Sequence, residues 1–258
     1  MHTTIQGEGK PLLLVHGIGS TALGWKPVMP ALARHRRIIV VDLPGHGRTP
    51  AREDSGTFAG LSASLQQFLA GQDLIGVDMA GCSLGGGLVL EMARLGLAGN
   101  VVALNPGGFM AGVERAYLQT TLLGAVFALR VAGGLRPALA HNPMLRSTLL
   151  SLISAKSWAL DPDLAEAELN SIAATQTFTQ LAVNLAVMPQ QQGPAAPATG
   201  RVAIGWGRHD RLCWPVQAAR AAAAFPSARL HWFERSGHYS WWDEPAEVVR
   251  LIEETVAD

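Results

Sequence analysis

The chain has 258 residues, 48 % of them hydrophobic, with 20 Lys+Arg set against 20 Asp+Glu. That length buries enough apolar surface for one compact domain with an insertion, and needs no disulfide or metal to do so. A formal charge of zero supplies no long-range attraction to nucleic acid or anionic lipid, so a polyanion-binding protein is excluded as a default.

In chain order, the opening segment Met1 to Lys10 has neither the basic head nor the apolar run of a secretory signal. Short apolar runs then alternate with stretches of helical length. Leu12 to Val15, Ile38 to Val41, Leu74 to Ala80 (apolar but for Gly76 and Asp78) and Val101 to Leu104 are short apolar runs bounded by turn residues. Such runs predict buried parallel strands. Between them, Pro27 to Arg34, Thr57 to Ala70 and Leu84 to Leu95 have helical length, which makes a βαβ rhythm and an α/β fold. The rhythm stops after Asn105. From about Glu114 to Val187, Leu, Ala, Thr and Gln recur at helical spacing. Within this stretch Leu122 to Leu135 is the most lipid-like segment. Arg130 and Gly133-Gly134 interrupt it, and it falls short of the roughly 20 apolar residues of a spanning helix. No membrane insertion is expected. Gly193 to Gly200 is a Pro/Gly-rich joint. Strand character returns at Val202 to Ile204 and Arg229 to Phe233, and a last helix starts at Pro245. Two units are predicted: a parallel-sheet core over 1–108 and 198–258, and a helical cap over 109–197. Two cysteines, Cys82 and Cys213, make no disulfide framework, and a cytoplasmic setting is expected.

Gly81-Cys82-Ser83-Leu84-Gly85 lies between a strand run and a helical run, the setting that a G-x-S-x-G nucleophile turn requires. A serine needs a base, and the base an orienting carboxylate. In chain order Ser, Asp, His, each on a loop after a strand, Asp210 and His238 fill those places. His209 adjoins Asp210, but neighbouring side chains diverge, so His238 is the better base. His16 reads as a residue that orients its loop. No cluster has metal-ligand spacing, so no metal and no cofactor is expected. Donors for an oxyanion are expected from the backbone N–H groups of Leu84 and of Ile18, the latter flanked by glycines at a strand end. Trp25, Phe109, Met110, Trp158, Phe178 and Trp241 are candidates for an apolar substrate pocket. A neutral, lipophilic small molecule suits that lining, and oligomeric state is not readable.

On His16-Gly17-Ile18-Gly19-Ser20, Asp42-Leu43-Pro44-Gly45-His46-Gly47, Gly81-Cys82-Ser83-Leu84-Gly85-Gly86, Gly207-Arg208-His209-Asp210 and Gly237-His238, the chain resembles the α/β-hydrolase family in its compact esterase, lipase and lactonase branch. The resemblance implies a mostly parallel eight-stranded sheet flanked by helices, with the insertion after the sixth strand forming a lid. It also implies that the Asp42 segment is a structural turn. A serine at the nucleophile position sets aside the haloalkane dehalogenases and epoxide hydrolases of the fold, which use aspartate there. Carboxylic ester, lactone or enol-lactone, and carbon–carbon bond hydrolysis all remain open, as does a non-catalytic receptor that retains the triad.

Overall fold

A computed structural model describes residues 1–194 and 200–257. In chain order it contains β1 (Thr3–Gln6), β2 (Pro11–Val15), α1 (Met29–Leu32), β3 (Arg37–Val41), α2 (Phe58–Gly71), β4 (Asp78–Cys82), α3 (Leu84–Arg94) and β5 (Val101–Leu104). There follow α4 (Val113–Ala132), α5 (Arg136–His141), α6 (Pro143–Leu149), α7 (Pro162–Ala174) and α8 (Phe178–Val187). The chain ends with β6 (Val202–Gly207), α9 (Gln217–Ala224), β7 (Arg229–Phe233), α10 (Ser240–Asp243) and α11 (Pro245–Val256). The strands form a single sheet in the order β1-β3-β2-β4-β5-β6-β7. Every neighbouring pair is parallel except β1 with β3.

Strands apolar on both faces need cover on both faces, and the two-residue period sorts their side chains into two cores. Leu13, Val15, Ile39, Val41 and Met79 belong to one, and Leu12, Leu14, Ile38, Val40 and Ala80 to the other. Helices α4 to α8 contribute to both. Leu118, Leu122, Phe178 and Leu181 join the first core, while Leu129, Leu150, Leu164 and Leu169 join the second.

The α/β class and mostly parallel sheet are as the sequence predicts, with corrections. Seven strands, not eight, are present among the described residues, so the helical segment follows the fifth strand rather than the sixth. The strand expected from Leu74 begins at Asp78, because Gly76 takes a positive φ of 82° in a turn that precedes it. The helix expected over Pro27 to Arg34 shrinks to α1. The antiparallel strand β1 has no apolar run to mark it in the sequence, since Ile5 stands alone among Thr3, Thr4 and Gln6 and is exposed. Val113–His141 is, among the described residues, long and apolar enough by length and composition to cross a membrane. Leu122 to Leu135 understated that stretch, since α4 already begins at Val113 and the helical run continues through a turn at Gly133–Leu135 into α5. Most of the Gly193 to Gly200 joint and the 197/198 boundary lie outside the described residues.

Candidate active site

Ser83 follows β4 and immediately precedes α3, at φ 52° and ψ −118°. A non-glycine residue is strained there, and such strain persists only where the surroundings impose it. The flanking glycines explain how. A Cβ on Gly81 would run into the carbonyl of Gly85, and one on Gly85 would run into the carbonyls of Val15 and His16. The turn is therefore as tight as two bare backbones allow. The Ser83 carbonyl accepts from Gly87 N–H at 3.0 Å and Gly107 N–H at 2.9 Å, which ties the elbow to the helix it opens and to the loop after β5.

Asp210 and His238 stand on the loops after β6 and β7, as chain order predicts. Both are buried, and His238 Nδ1 lies 2.8 Å from Asp210 Oδ2. The carboxylate is held on four sides. Oδ1 accepts from Leu212 N–H and Cys213 N–H, each at 2.8 Å, and Oδ2 also accepts from Asn105 Nδ2 at 2.8 Å. With Nδ1 donating to that carboxylate, Nε2 is the imidazole's acceptor. It is buried and has no hydrogen-bond partner among the described residues, and His238 lines the same cavity as Ser83. His209 is not part of this arrangement; its backbone N–H donates to the Ser236 carbonyl.

Asp243 sets the position of the histidine loop. Its Oδ2 accepts from Gly237 N–H at 2.7 Å and Ala155 N–H at 2.8 Å, and its Oδ1 accepts from Ser154 Oγ at 2.6 Å. One buried carboxylate thus joins the residue before His238 to the helical segment after β5.

Ile18 and Leu84 flank Ser83, and neither backbone N–H has an acceptor among the described residues. The loop that carries Ile18 is fixed from below. Leu43 N–H donates to His16 Nε2 at 3.0 Å, which leaves the His16 proton on Nδ1, 2.7 Å from the Gly17 carbonyl. Burial lowers the His16 pKa and takes His46 down to about 3, so both rings are neutral braces near neutral pH. Asp42 accepts from Ala22 N–H at 2.9 Å and Arg48 N–H at 3.0 Å, which makes the Asp42 segment a support for the same loop.

The cavity beside Ser83 and His238 has a volume of about 430 Å³ and runs between the sheet edge and helices α4, α6 and α7. Ile18, Leu122, Leu129, Ile153, Ile172 and Phe178 give it an apolar wall, and no Lys, Arg, Asp or Glu among the described residues lines it. Of the pocket candidates, Phe178 lines this cavity and Met110 lines a smaller adjoining space that Ser83 also lines. The other four lie elsewhere. Trp25 and Trp241 stack on each other at 5.4 Å within the second core and line neither space, with Trp241 Nε1 donating to the Gly24 carbonyl. Phe109 is buried away from both spaces, and Trp158 is 59 % exposed on the surface. Cys82 and Cys213 are both free and buried, and burial raises their pKa values well above the usual thiol range.

Sequence reasoning missed two supporting groups. Asn105, fully buried at φ 46°, supplies the donor to Asp210; an Asn ending an apolar strand before Pro-Gly-Gly was the available signal, since Asn is enriched at positive φ. Glu168 on α7 is buried and accepts from Ser20 Oγ at 3.0 Å and Tyr239 Oη at 2.8 Å. It links the helical segment to the Ile18 loop and to the residue after His238. Burial pushes its carboxyl up to about 7, against partial relief from those two hydrogen bonds. The folded state therefore holds a proton that the unfolded chain releases near 4.5. Stability should fall as pH rises from about 4.5 to 7 and this term should be constant above that, at a cost of up to about 3 kcal/mol. Glu168→Gln should remove that slope: urea unfolding across pH 4.5–8 should show the variant gaining on the wild type up to pH 7. A difference that does not change with pH would refute the assignment.

A doubly covered parallel sheet with a strained serine turn after a central strand, facing an aspartate-held histidine, defines the architecture of an α/β hydrolase. The chain belongs to the alpha/beta hydrolase family, whose model matches residues 12–251. Members of this family are hydrolases that act on small molecules. Among characterised relatives, a 2-hydroxy-6-oxo-2,4-heptadienoate hydrolase from Pseudomonas putida is 28 % identical, over 97 % of this chain and 90 % of its own. A 2-hydroxy-6-oxononadienedioate/2-hydroxy-6-oxononatrienedioate hydrolase from Cupriavidus pinatubonensis is 26 % identical, over 98 % of this chain and 89 % of its own. Among solved structures, an esterase from Exiguobacterium antarcticum superposes with a TM-score of 0.80 at 18 % identity, covering all of this chain and 95 % of its own.

Proposed function

We propose that the protein is a serine hydrolase that cleaves a small to medium, lipophilic carboxylic ester through an acyl-enzyme intermediate. The observation that carries this reading is the buried, aspartate-held His238, whose Nε2 has no partner among the described residues and which lines the same apolar cavity as Ser83. Ser83 Oγ attacks the ester carbonyl while Nε2 takes its proton. The oxyanion is received by the N–H groups of Ile18 and Leu84, the latter at the positive end of α3. His238 then passes the proton to the departing alkoxide as the carbon–oxygen bond breaks. Water, deprotonated by the same nitrogen, releases the acid and restores Ser83. No cofactor enters these steps. Helices α4 to α8 act as a lid that keeps water from the apolar cavity, and the unbridged Cys82 and Cys213 fit a cytoplasmic setting.

The relatives' names point to a second reading, hydrolysis of oxo-dienoate substrates at a carbon–carbon bond by the same triad. A dienoate carries one carboxylate and a dienedioate two, and burying such charges calls for cationic partners. The cavity has none, which favours the neutral ester. A fluorophosphonate probe should label Ser83 stoichiometrically, and p-nitrophenyl esters should turn over. Labelling without turnover of any ester would move the reading to the second class or to a receptor. Absence of labelling at Ser83 would end it.

A further inference from the structure

Ser83 lines two adjoining compartments of very different size, which also share Ile18, Leu122 and Leu212. The larger, about 430 Å³, contains His238 and Tyr239, and its mouth lies where Thr120, Gly124, Ala128 and Thr148 are exposed between α4 and α6. The smaller, about 20 Å³, contains Leu84, Gly107, Gly108, Met110 and Met188. His238 lines only the larger, and Leu84 only the smaller. Room of about 10–15 Å³ accommodates one water-sized group, so the smaller compartment holds little more than a methyl or ethyl group.

The geometry of acyl transfer then assigns the two ends of the substrate, given Ser83 as the ester-cleaving nucleophile. In the tetrahedral intermediate the carbonyl carbon carries Ser83 Oγ, the oxyanion, the leaving oxygen and the acyl carbon. The oxyanion points to the N–H groups of Ile18 and Leu84. The leaving oxygen must lie within hydrogen-bond reach of His238 Nε2 to be protonated, which places the alcohol in the large compartment. Of the two spaces that Ser83 lines, the small one, beside the oxyanion donor Leu84, is then left for the acyl chain. We infer that the substrate is a short-acyl ester, acetyl or similar, of a bulky apolar alcohol.

The small compartment is built rather than loosely packed. Gly107 N–H donates to the Ser83 carbonyl at 2.9 Å, so its wall is tied to the nucleophile's own backbone. Gln191 spans it from behind, with Nε2 donating to the Gly107 carbonyl at 2.9 Å and its N–H to the Gly108 carbonyl at 3.0 Å. A Cβ on Gly108 would meet the Gln191 side chain at 2.6 Å, so that wall is closed on both sides. The large compartment differs: a Cβ on Gly124 at its mouth meets nothing within 4 Å.

The test is a matrix of esters with kcat/KM as the readout. Acyl length runs over acetate, butanoate and octanoate of naphthylmethanol, and alcohol size runs over ethyl, cyclohexylmethyl and naphthylmethyl acetate. Naphthylmethyl acetate should exceed the octanoate by at least about tenfold, the least expected of a pocket that excludes added methylenes. Met188→Ala should raise the butanoate-to-acetate ratio by about tenfold. Gly124→Phe, on an exposed helix position that tolerates a side chain, should lower the naphthylmethyl-to-ethyl ratio and leave the acyl-length ratio unchanged. A preference for octanoate, or an acyl-length effect from Gly124→Phe, would overturn the assignment while leaving the ester hydrolase reading intact. Failure of every ester would overturn that reading and this assignment with it.

Discussion

Ser83→Ala is expected to lower kcat on any ester substrate by roughly six orders of magnitude, with the fold retained. Alanine keeps the Cβ, so the backbone at φ 52° bears the same strain and the elbow keeps its shape. What disappears is the only atom that can form the acyl-enzyme, leaving whatever the N–H groups of Ile18 and Leu84 can do for direct attack by water. The companion variant Ser83→Gly separates strain from chemistry. Positive-φ strain costs on the order of 1–3 kcal/mol, while glycine's extra chain entropy costs about 0.5–1 kcal/mol. Ser83→Gly should therefore be as inactive as Ser83→Ala yet unfold at a higher urea concentration. Full ester turnover by Ser83→Ala would remove the proposed nucleophile. Equal or lower stability of Ser83→Gly would mean that the elbow is not strained by its side chain.

What could be read from the sequence depended on how local the cause is. The serine turn is legible because its causes lie within a few residues: two glycines that must touch bare backbone, with a strand before and a helix after. Asp210 and His238 could be placed because loop order after strands is a property of topology. Asn105 and Glu168 escaped because their partners lie far along the chain. Asn105 reaches Asp210, and Glu168 reaches Ser20 and Tyr239; no spacing rule connects such pairs. Trp25 and Trp241 were assigned to the pocket because each follows a chemical motif. Both sit on short helical segments, Ala22–Trp25 and α10, where they stack on each other inside the core, and neither lines the cavity. The seven strands found among the described residues, against the eight implied, reflect how a resemblance carries an average architecture: this chain begins its sheet with one short, largely exposed edge strand.

Asp210→Asn is expected to lower kcat by about four orders of magnitude, and the reason lies in the donors that surround it. Leu212 N–H, Cys213 N–H, Asn105 Nδ2 and His238 Nδ1 all point at the carboxylate. An amide offers one acceptor oxygen and one NH₂ group, so one side of the site must set donor against donor. With the oxygen kept toward the Leu212 and Cys213 backbone, the NH₂ group faces His238. The ring can then accept at Nδ1 only by moving its proton to Nε2, the atom that must take the proton of Ser83. The serine loses its base without any change in position. Turning the amide the other way preserves the ring but leaves two buried backbone N–H groups unpaired, at about 1–3 kcal/mol each, so the tautomer change is the cheaper outcome. Asn105→Ala removes one donor of four and leaves the tautomer alone, and its loss of kcat should be far smaller. The two variants can be compared by kcat and by the imidazole ¹⁵N shifts, which report which ring nitrogen carries the proton. Unchanged shifts in Asp210→Asn together with an intact rate would show that Asp210 neither orients nor charges the base.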